Sequence, residues 1–382
     1  MLFCLISLVG TASAEDISDT HIMSYDNTID ISTENSVNQV SNLNSNDMSN
    51  EMINADDTAD DASLDDVNGS SSKNVLGANR LSANHDLSGL TTFEELQNYL
   101  DTQSFSDGDV LYLGNHSLTG SSAIDVNIAN IVISGGTEGN PTALSTLTAN
   151  GCNIFNLNAA GITLQNLAFV DGTNTEGGAI YIEYTATGTT IQGCVFSNNK
   201  APYEDYGSYS NPGIGGSIYC TAPNLSVSNC NFSDCEASNG GAIYLDSYAN
   251  GAVINDCTFS NNNASCYYTQ RDQWSPRQYN KGYGGAIYSG ASFSVNGCDF
   301  DENSATGDAG AIYLESTSRN SNITNCSFRK NDAKTISYTA DEEWQSTYLS
   351  SNGGSIYSSS ENTVIKGCNF TDSNASMVVL SI

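Results

Sequence analysis

Apolar positions in the second half of the chain fall into two short patterns that alternate and recur. The first is an aliphatic residue, two polar or glycine positions, Cys, any residue and Phe. It reads Ile191-Gln192-Gly193-Cys194-Val195-Phe196, then Val227 to Phe232, Ile254 to Phe259, Val295 to Phe300, Ile323 to Phe328 and Ile365 to Phe370. An earlier copy, Leu164 to Phe169, carries Leu167 in the Cys position. Side chains two apart on a strand share a face, so Cys and Phe point together into a core, and the polar pair before them fits a bend. The second pattern is Gly177-Gly178-Ala179-Ile180-Tyr181, repeated at 215–219, 240–244, 284–288, 309–313 and 353–357, with Ala309 replacing the first glycine once. The residue after Tyr is mostly apolar, which buries Ile180 and Ile182 and turns Tyr181 and its equivalents outward.

Leu167 to Cys194 and Cys230 to Cys257 are 27 residues apart and Cys298 to Cys326 is 28, too long for a hairpin unit and suited to one turn of a solenoid. The repeat strands contain no Pro, as continuous ladders require. The expected fold is all-β: a single-stranded right-handed parallel β-helix with regular coils over 162–382, the hand following the bias of parallel crossovers. Less regular coils are expected to begin at Val110–Leu113 and Ile131–Ile133. Residues 91–100, Thr91-Thr92-Phe93-Glu94-Glu95-Leu96-Gln97-Asn98-Tyr99-Leu100, predict a short N-terminal cap helix with an N-capping Thr, covering the open edge of the first coil.

Charge narrows the function. Forty-three acidic against 11 basic residues leave a net charge of -32, which disfavours nucleic acid and anionic membrane surfaces as partners. Residues 1–14 combine the apolar run Leu2–Val9 with Ala12-Ser13-Ala14, the pattern of a secretory signal peptide, and no later stretch is long enough to span a bilayer. The chain is therefore expected to be secreted, extracellular or at the cell surface. Residues 15–80 are acidic, rich in Asn and Ser and poor in aromatics, the composition of a disordered tether, leaving 85–382 as the β-helix domain. The last residues include Met377-Val378-Val379-Leu380 without a cap helix or polar final coil, as a chain truncated at its C-terminus would show.

Three insertions, 200–214, 265–283 and 333–352, enter alternate coils, and the Gly-Gly sites that follow them, at 215, 284 and 353, are spaced by 69 residues each time. Consecutive coils lie one strand spacing apart, so the three loops should leave one edge at intervals of about 10 Å. They hold Tyr203, Tyr206 and Tyr209; Tyr267, Tyr268, Trp274, Tyr279 and Tyr283; and Tyr338, Trp344 and Tyr348. Rigid rings with hydroxyl or indole donors suit a ligand-binding edge for an extracellular glycan or a surface protein of another cell, although the rings would equally cover the sheet beneath them.

Chemistry is harder to find. Glu183, Asp246 and Glu315 stand two residues after outward tyrosines, at about 10 Å intervals, the edge of the separation used by inverting glycosidases. Alternation with Thr221, Gly290 and Ser359 avoids stacking of like charges and is reading enough for the pattern. All three His (His21, His85, His116) lie outside the regular coils, and Asp341, Glu342 and Glu343 read as a solvated loop rather than a calcium site. No catalytic residue, metal or cofactor is expected, and the chain is not expected to be an enzyme. The Cys ladder at 194, 230, 257, 298, 326 and 368 occupies a core position where Leu167 substitutes, which favours free thiols, although stacked neighbours would be close enough to bridge.

The Gly-Gly-Ala-Ile pattern and the Phe-x-x-Asn pairs, Phe196/Asn199, Phe259/Asn262, Phe300/Asn303 and Phe328/Asn331, resemble the repeats of polymorphic outer-membrane proteins. The layout of signal, acidic tether, cap helix and Asn- and Tyr-rich coils is similar to the adhesin-like proteins of methanogenic archaea. The resemblance covers about 85–382; Phe169, Phe232 and Phe370 lack the paired Asn. It implies a right-handed β-helix at the cell surface with an adhesive role and no established catalytic residues. A carbohydrate-active enzyme, lyase or hydrolase, on the same fold is the competing reading, and a structural envelope spacer the third.

Overall fold

A computed structural model describes residues 82–205, 210–269, 278–339 and 346–375. The expected signal peptide and tether, and residues 376–382, lie outside them. Three long parallel sheets run the length of the molecule. An aliphatic sheet of ten strands extends from Asn84–Asp86 to Val364–Lys366, a phenylalanine sheet of nine from Ser117–Gly120 to Asn369–Thr371, and a tyrosine sheet of eight from Ile124–Val126 to Ile356–Ser358. A fourth sheet has five two-residue strands, from Glu236–Ala237 to Asn374–Ala375. Each inner coil contributes one strand to each long sheet, in register: Ile191 lies between Leu164 and Val227, Phe196 between Phe169 and Phe232, and Tyr219 between Tyr181 and Tyr244.

The first sequence pattern spans two of these strands. Thr190–Gln192 belongs to the aliphatic sheet and Val195–Ser197 to the phenylalanine sheet, and Gly193 between them has φ 61°. In other coils Asn166, Asn229, Asp256, Gly297, Asn325 and Gly367 hold the same left-handed bend. Asn and Asp tolerate that region better than other side chains, which is why the polar pair precedes Cys. A second left-handed bend follows each Phe, at Asp171, Asn198, Asp234, Asn261, Glu302, Lys330 and Asp372.

Inside, like stacks on like. Phe169, Phe196, Phe232, Phe259, Phe300, Phe328 and Phe370 form one column with neighbouring ring centroids 4.5–4.8 Å apart. Every described Cys is a free thiol, and the Cys ladder is buried. The backbone N–H groups of Cys194, Cys230 and Cys257 each point at the sulfur of the next coil's Cys, 3.4 Å away. Buried Asn199, Asn262, Asn303 and Asn331 form a further ladder: the Asn262 amide donates to Asn303 Oδ1 at 2.9 Å and that of Asn303 to Asn331 Oδ1 at 3.0 Å.

The helix runs Phe93–Thr102, two residues later than the sequence suggests at each end. Thr92 Oγ1 accepts from the Glu95 N–H at 3.2 Å while Glu95 accepts from the Thr92 N–H at 3.1 Å, a complete capping box. Phe93, Leu96 and Leu100 are buried over the first coils, and a Cβ on Gly120 would lie 2.3 Å from the Phe93 ring. His85 ties the helix down, bonding Tyr99 Oη at 2.7 Å through Nδ1 and buried Asp109 at 3.2 Å through Nε2. No helix among the described residues is long and apolar enough to cross a membrane.

Candidate functional site

The three insertions form antiparallel hairpins on alternate coils: Glu204–Asp205 with Ser210–Asn211, Tyr267–Thr269 with Gln278–Asn280, and Ile336–Thr339 with Ser346–Leu349. At their bases, Tyr203 stacks on Tyr267 with centroids 5.2 Å apart, and Tyr283 packs against Tyr313 at 4.8 Å. Tyr268 and Tyr279 are cross-strand partners in the second hairpin, and Tyr338 and Tyr348 lie on opposite strands of the third. Tyr206, Tyr209, Trp274 and Trp344 lie outside the described residues, as do Asp341, Glu342 and Glu343. The structure thus brings Tyr203, Tyr267 and Tyr283 to one margin of the tyrosine sheet.

That sheet carries a continuous aromatic row. Tyr181, Tyr219, Tyr244, Tyr288, Tyr313 and Tyr357 follow one another with centroids 4.5–5.6 Å apart, nearly parallel except where Tyr219 meets Tyr244 edge-on at 62°. Rings stacked on each other offer a ligand their edges and hydroxyls and keep their faces to themselves. Burial pushes the Tyr244 phenol up to about 12, with Asp246 and Glu315 adding to it, and raises Tyr181, Tyr219, Tyr288 and Tyr313 as well. These five phenols therefore hold their protons as potential donors; Tyr288 Oη donates to Glu315 Oε2 at 2.9 Å.

Open ring faces stand one turn further along the coil. Tyr184 and Tyr248 are 58% and 64% exposed, and although one coil separates them, their rings meet edge to face at 6.0 Å. The coil between has only Thr221, Ala222 and Pro223 at this turn, which leaves the space. Beside them, Glu183 Oε2 accepts from the Tyr184 N–H at 3.3 Å, and Asp246 Oδ1 accepts from the Ser247 hydroxyl at 3.0 Å and the Tyr248 N–H at 3.1 Å. These backbone bonds fix both carboxylates at the start of the turn. The sequence reading passed over this pair because Tyr184 is three residues after its row tyrosine and Tyr248 four, so no periodic position marks them. The signal available was a large aromatic in a turn that elsewhere holds Ser and Thr. No group of three or more His, Cys, Asp or Glu suited to a metal occurs among the described residues.

Residues 166–381 match the sequence model of the right-handed β-helix region, and the chain belongs to that family. No curated protein sequence matches it. Among solved structures, a pectin methylesterase in complex with hexasaccharide VII is similar at 11% identity, over 78% of this chain and 93% of that one, with a TM-score of 0.35. The pectin methylesterase from Aspergillus niger gives 14% identity, 79% and 93% coverage and 0.36. The catalytic domain of a GH87 α-1,3-glucanase in complex with nigerose gives 11%, 78% and 68%, and 0.28. Carbohydrate-active enzymes stand among these neighbours, so the expectation that the chain is not an enzyme is withdrawn. At these identities the likeness concerns the coil architecture alone and transfers no activity.

Proposed function

We propose that the chain recognises carbohydrate outside the cell through the turn edge of its tyrosine face. The observation that carries this reading is the exposed Tyr184–Tyr248 pair, two solvent-facing rings packed edge to face and flanked by the fixed acceptors Glu183 and Asp246. Sugars present apolar C–H faces rimmed by hydroxyls, and an aromatic platform with carboxylate acceptors at its border complements both features. In the adhesin-like setting that the repeats resemble, the platform would hold a surface glycan.

A second reading is favoured by the same face. Glu183, Asp246 and Glu315 recur every second coil, about 10 Å apart by strand spacing, at the edge of an inverting carboxylate pair. A carbohydrate-active enzyme is therefore tested alongside.

The experiment is a glycan array probed with the full chain, followed by calorimetry on the glycans retained. Tyr184→Ala and Tyr248→Ala should each weaken binding by about tenfold, with stability changed by less than about 0.5 kcal/mol. Trp274→Ala with Trp344→Ala tests the hairpin contribution separately. Full retention by the Tyr184→Ala/Tyr248→Ala variant would sink the platform, and release of reducing ends or unsaturated sugars from a bound glycan would assign the enzyme.

A further inference from the structure

We infer that the glycan taken by this face carries protonated amines, an amino-sugar polymer rather than a neutral or uronate one; the inference rests on the carbohydrate reading above. Charge complementarity is the first ground. The ionised groups that act most strongly on these phenols are carboxylates: Glu176, Glu183 and Asp246 on Tyr181, Glu176 and Asp246 on Tyr219, Asp246 and Glu315 on Tyr244, and Asp308 and Glu315 on Tyr313. Five of the described cations are engaged in ion pairs, Lys281 beside the row among them. Lys200 pairs with Glu236 at 3.6 Å, Lys281 with Asp308 at 3.1 Å, Arg319 with Glu361 at 3.6 Å, Lys330 with Glu302 at 2.9 Å, and Arg329 with Asp301. Among the described residues, no cation reaches Glu183, Asp246 or Glu315, whose recorded partners are neutral N–H and O–H donors.

The second ground is the aromatic pair itself. A ring face carries negative potential and attracts an ammonium group, and it does so more strongly beside a carboxylate. Tyr184 adjoins Glu183, and Tyr248 lies two residues from Asp246, so each open face has a carboxylate on the same turn. The spacing adds a third ground. Carboxylates about 10 Å apart by strand spacing exceed the screening length of about 8 Å in physiological salt, so each acts on the sugar nearest to it. A polymer bearing one cation on every unit, lying along the helix axis, meets a counter-charge at each of these turns, whereas a polyuronate meets repulsion at each.

Calorimetry on the full chain tests this with three oligosaccharides of equal length: glucosamine with protonated amines, its N-acetylated form, and galacturonic acid. The glucosamine oligomer should bind about tenfold more tightly than the acetylated one and lose that advantage as salt is raised, while the galacturonic acid oligomer should not bind. Glu183→Gln, Asp246→Asn and Glu315→Gln together should abolish the preference, so that the glucosamine and acetylated oligomers bind alike. Spermine controls for attraction to the molecule's overall charge: Tyr184→Ala/Tyr248→Ala should weaken glucosamine-oligomer binding and leave spermine binding as it was. A preference that survives the carboxylate variant, galacturonic acid binding as tightly as glucosamine, or glucosamine binding indifferent to the two tyrosines would overturn the inference while acetylated-oligomer binding leaves the carbohydrate reading standing. Binding of none of the three overturns that reading itself.

Discussion

Ala309 stands where the other five copies of the second pattern have glycine, and its φ of 64° places it in the left-handed region. The glycine positions show what a side chain meets there: a Cβ on Gly284 would lie 2.2 Å from the Ile287 carbonyl oxygen, and one on Gly353 equally close to that of Ile356. Ala309 carries such a Cβ, so this coil bears a local cost, partly offset because alanine loses less backbone freedom on folding than glycine. Ala309→Gly is expected to stabilise the protein by about 1 kcal/mol, read as a higher urea midpoint with unchanged slope. Gly284→Ala should lower the midpoint. An Ala309→Gly midpoint equal to the parent's would mean that the neighbouring backbone has already absorbed the clash.

Elements were legible from the sequence to the extent that position dictates side-chain type. Six of the seven regular coils put an aliphatic, a Cys and a Phe at the same three points, and the other has Leu167 for the Cys, so the repeat exposes the ladders directly. The lapses in Phe-x-x-Asn are legible only with the structure. Gly172 donates its N–H to Asn199 Oδ1 at 2.9 Å, Cys235 donates its own to Asn262 Oδ1 at 3.1 Å, and the Ser355 hydroxyl donates to Ser373 at 2.7 Å. Other residues thus stand at the lapses while the neighbouring Asn is still bonded. Asn303 is the informative test, because it accepts from the Asn262 N–H at 3.1 Å and donates to the Phe259 carbonyl at 3.0 Å, both buried. Asn303→Ala should cost about 3 kcal/mol by urea denaturation, since it strands buried groups on two coils. Cys235→Asn, which would continue the ladder, should leave the midpoint level or raise it; a loss as large as that of Asn303→Ala would show the ladder to be incidental. Ring orientation and the Tyr184–Tyr248 meeting were not legible: outward periodicity says which side chains leave the core and nothing about whether they then stack on each other or stay open.

At the scale of the molecule, these ladders make folding sensitive to base. Hydrogen bonds between neighbouring ladder thiols, with burial, push Cys257, Cys298 and Cys326 up to about 12, and burial pushes Cys220 to about 12 and Cys235 to about 11, from ordinary values of 9.0. Tyr244 rises from 10.0 to about 12 because it is buried beside carboxylates. Groups whose folded values are raised give their full stabilisation below the unfolded values; between pH 9 and 12 the unfolded chain sheds protons that the folded chain keeps, so stability falls as pH rises. Each such group steepens the fall by up to about 1.4 kcal/mol per pH unit. The net charge of -32 works in the same direction, because every ionisation in base adds to an already large self-repulsion. The melting temperature should therefore be nearly level from about pH 7 to 8.5 and drop steeply by pH 10.5. Cys298→Ala removes one titrating group, so it should lower the plateau through the lost packing yet make the alkaline slope shallower. Because the ladders of each coil pair only with the adjacent coils and the thiol column crosses six coils, ionisation anywhere along it should weaken adjacent interfaces, and the decline should appear in the main unfolding transition rather than as fraying of one end. A melting temperature unchanged between pH 8.5 and 10.5 would mean that the ladder opens to solvent before it titrates.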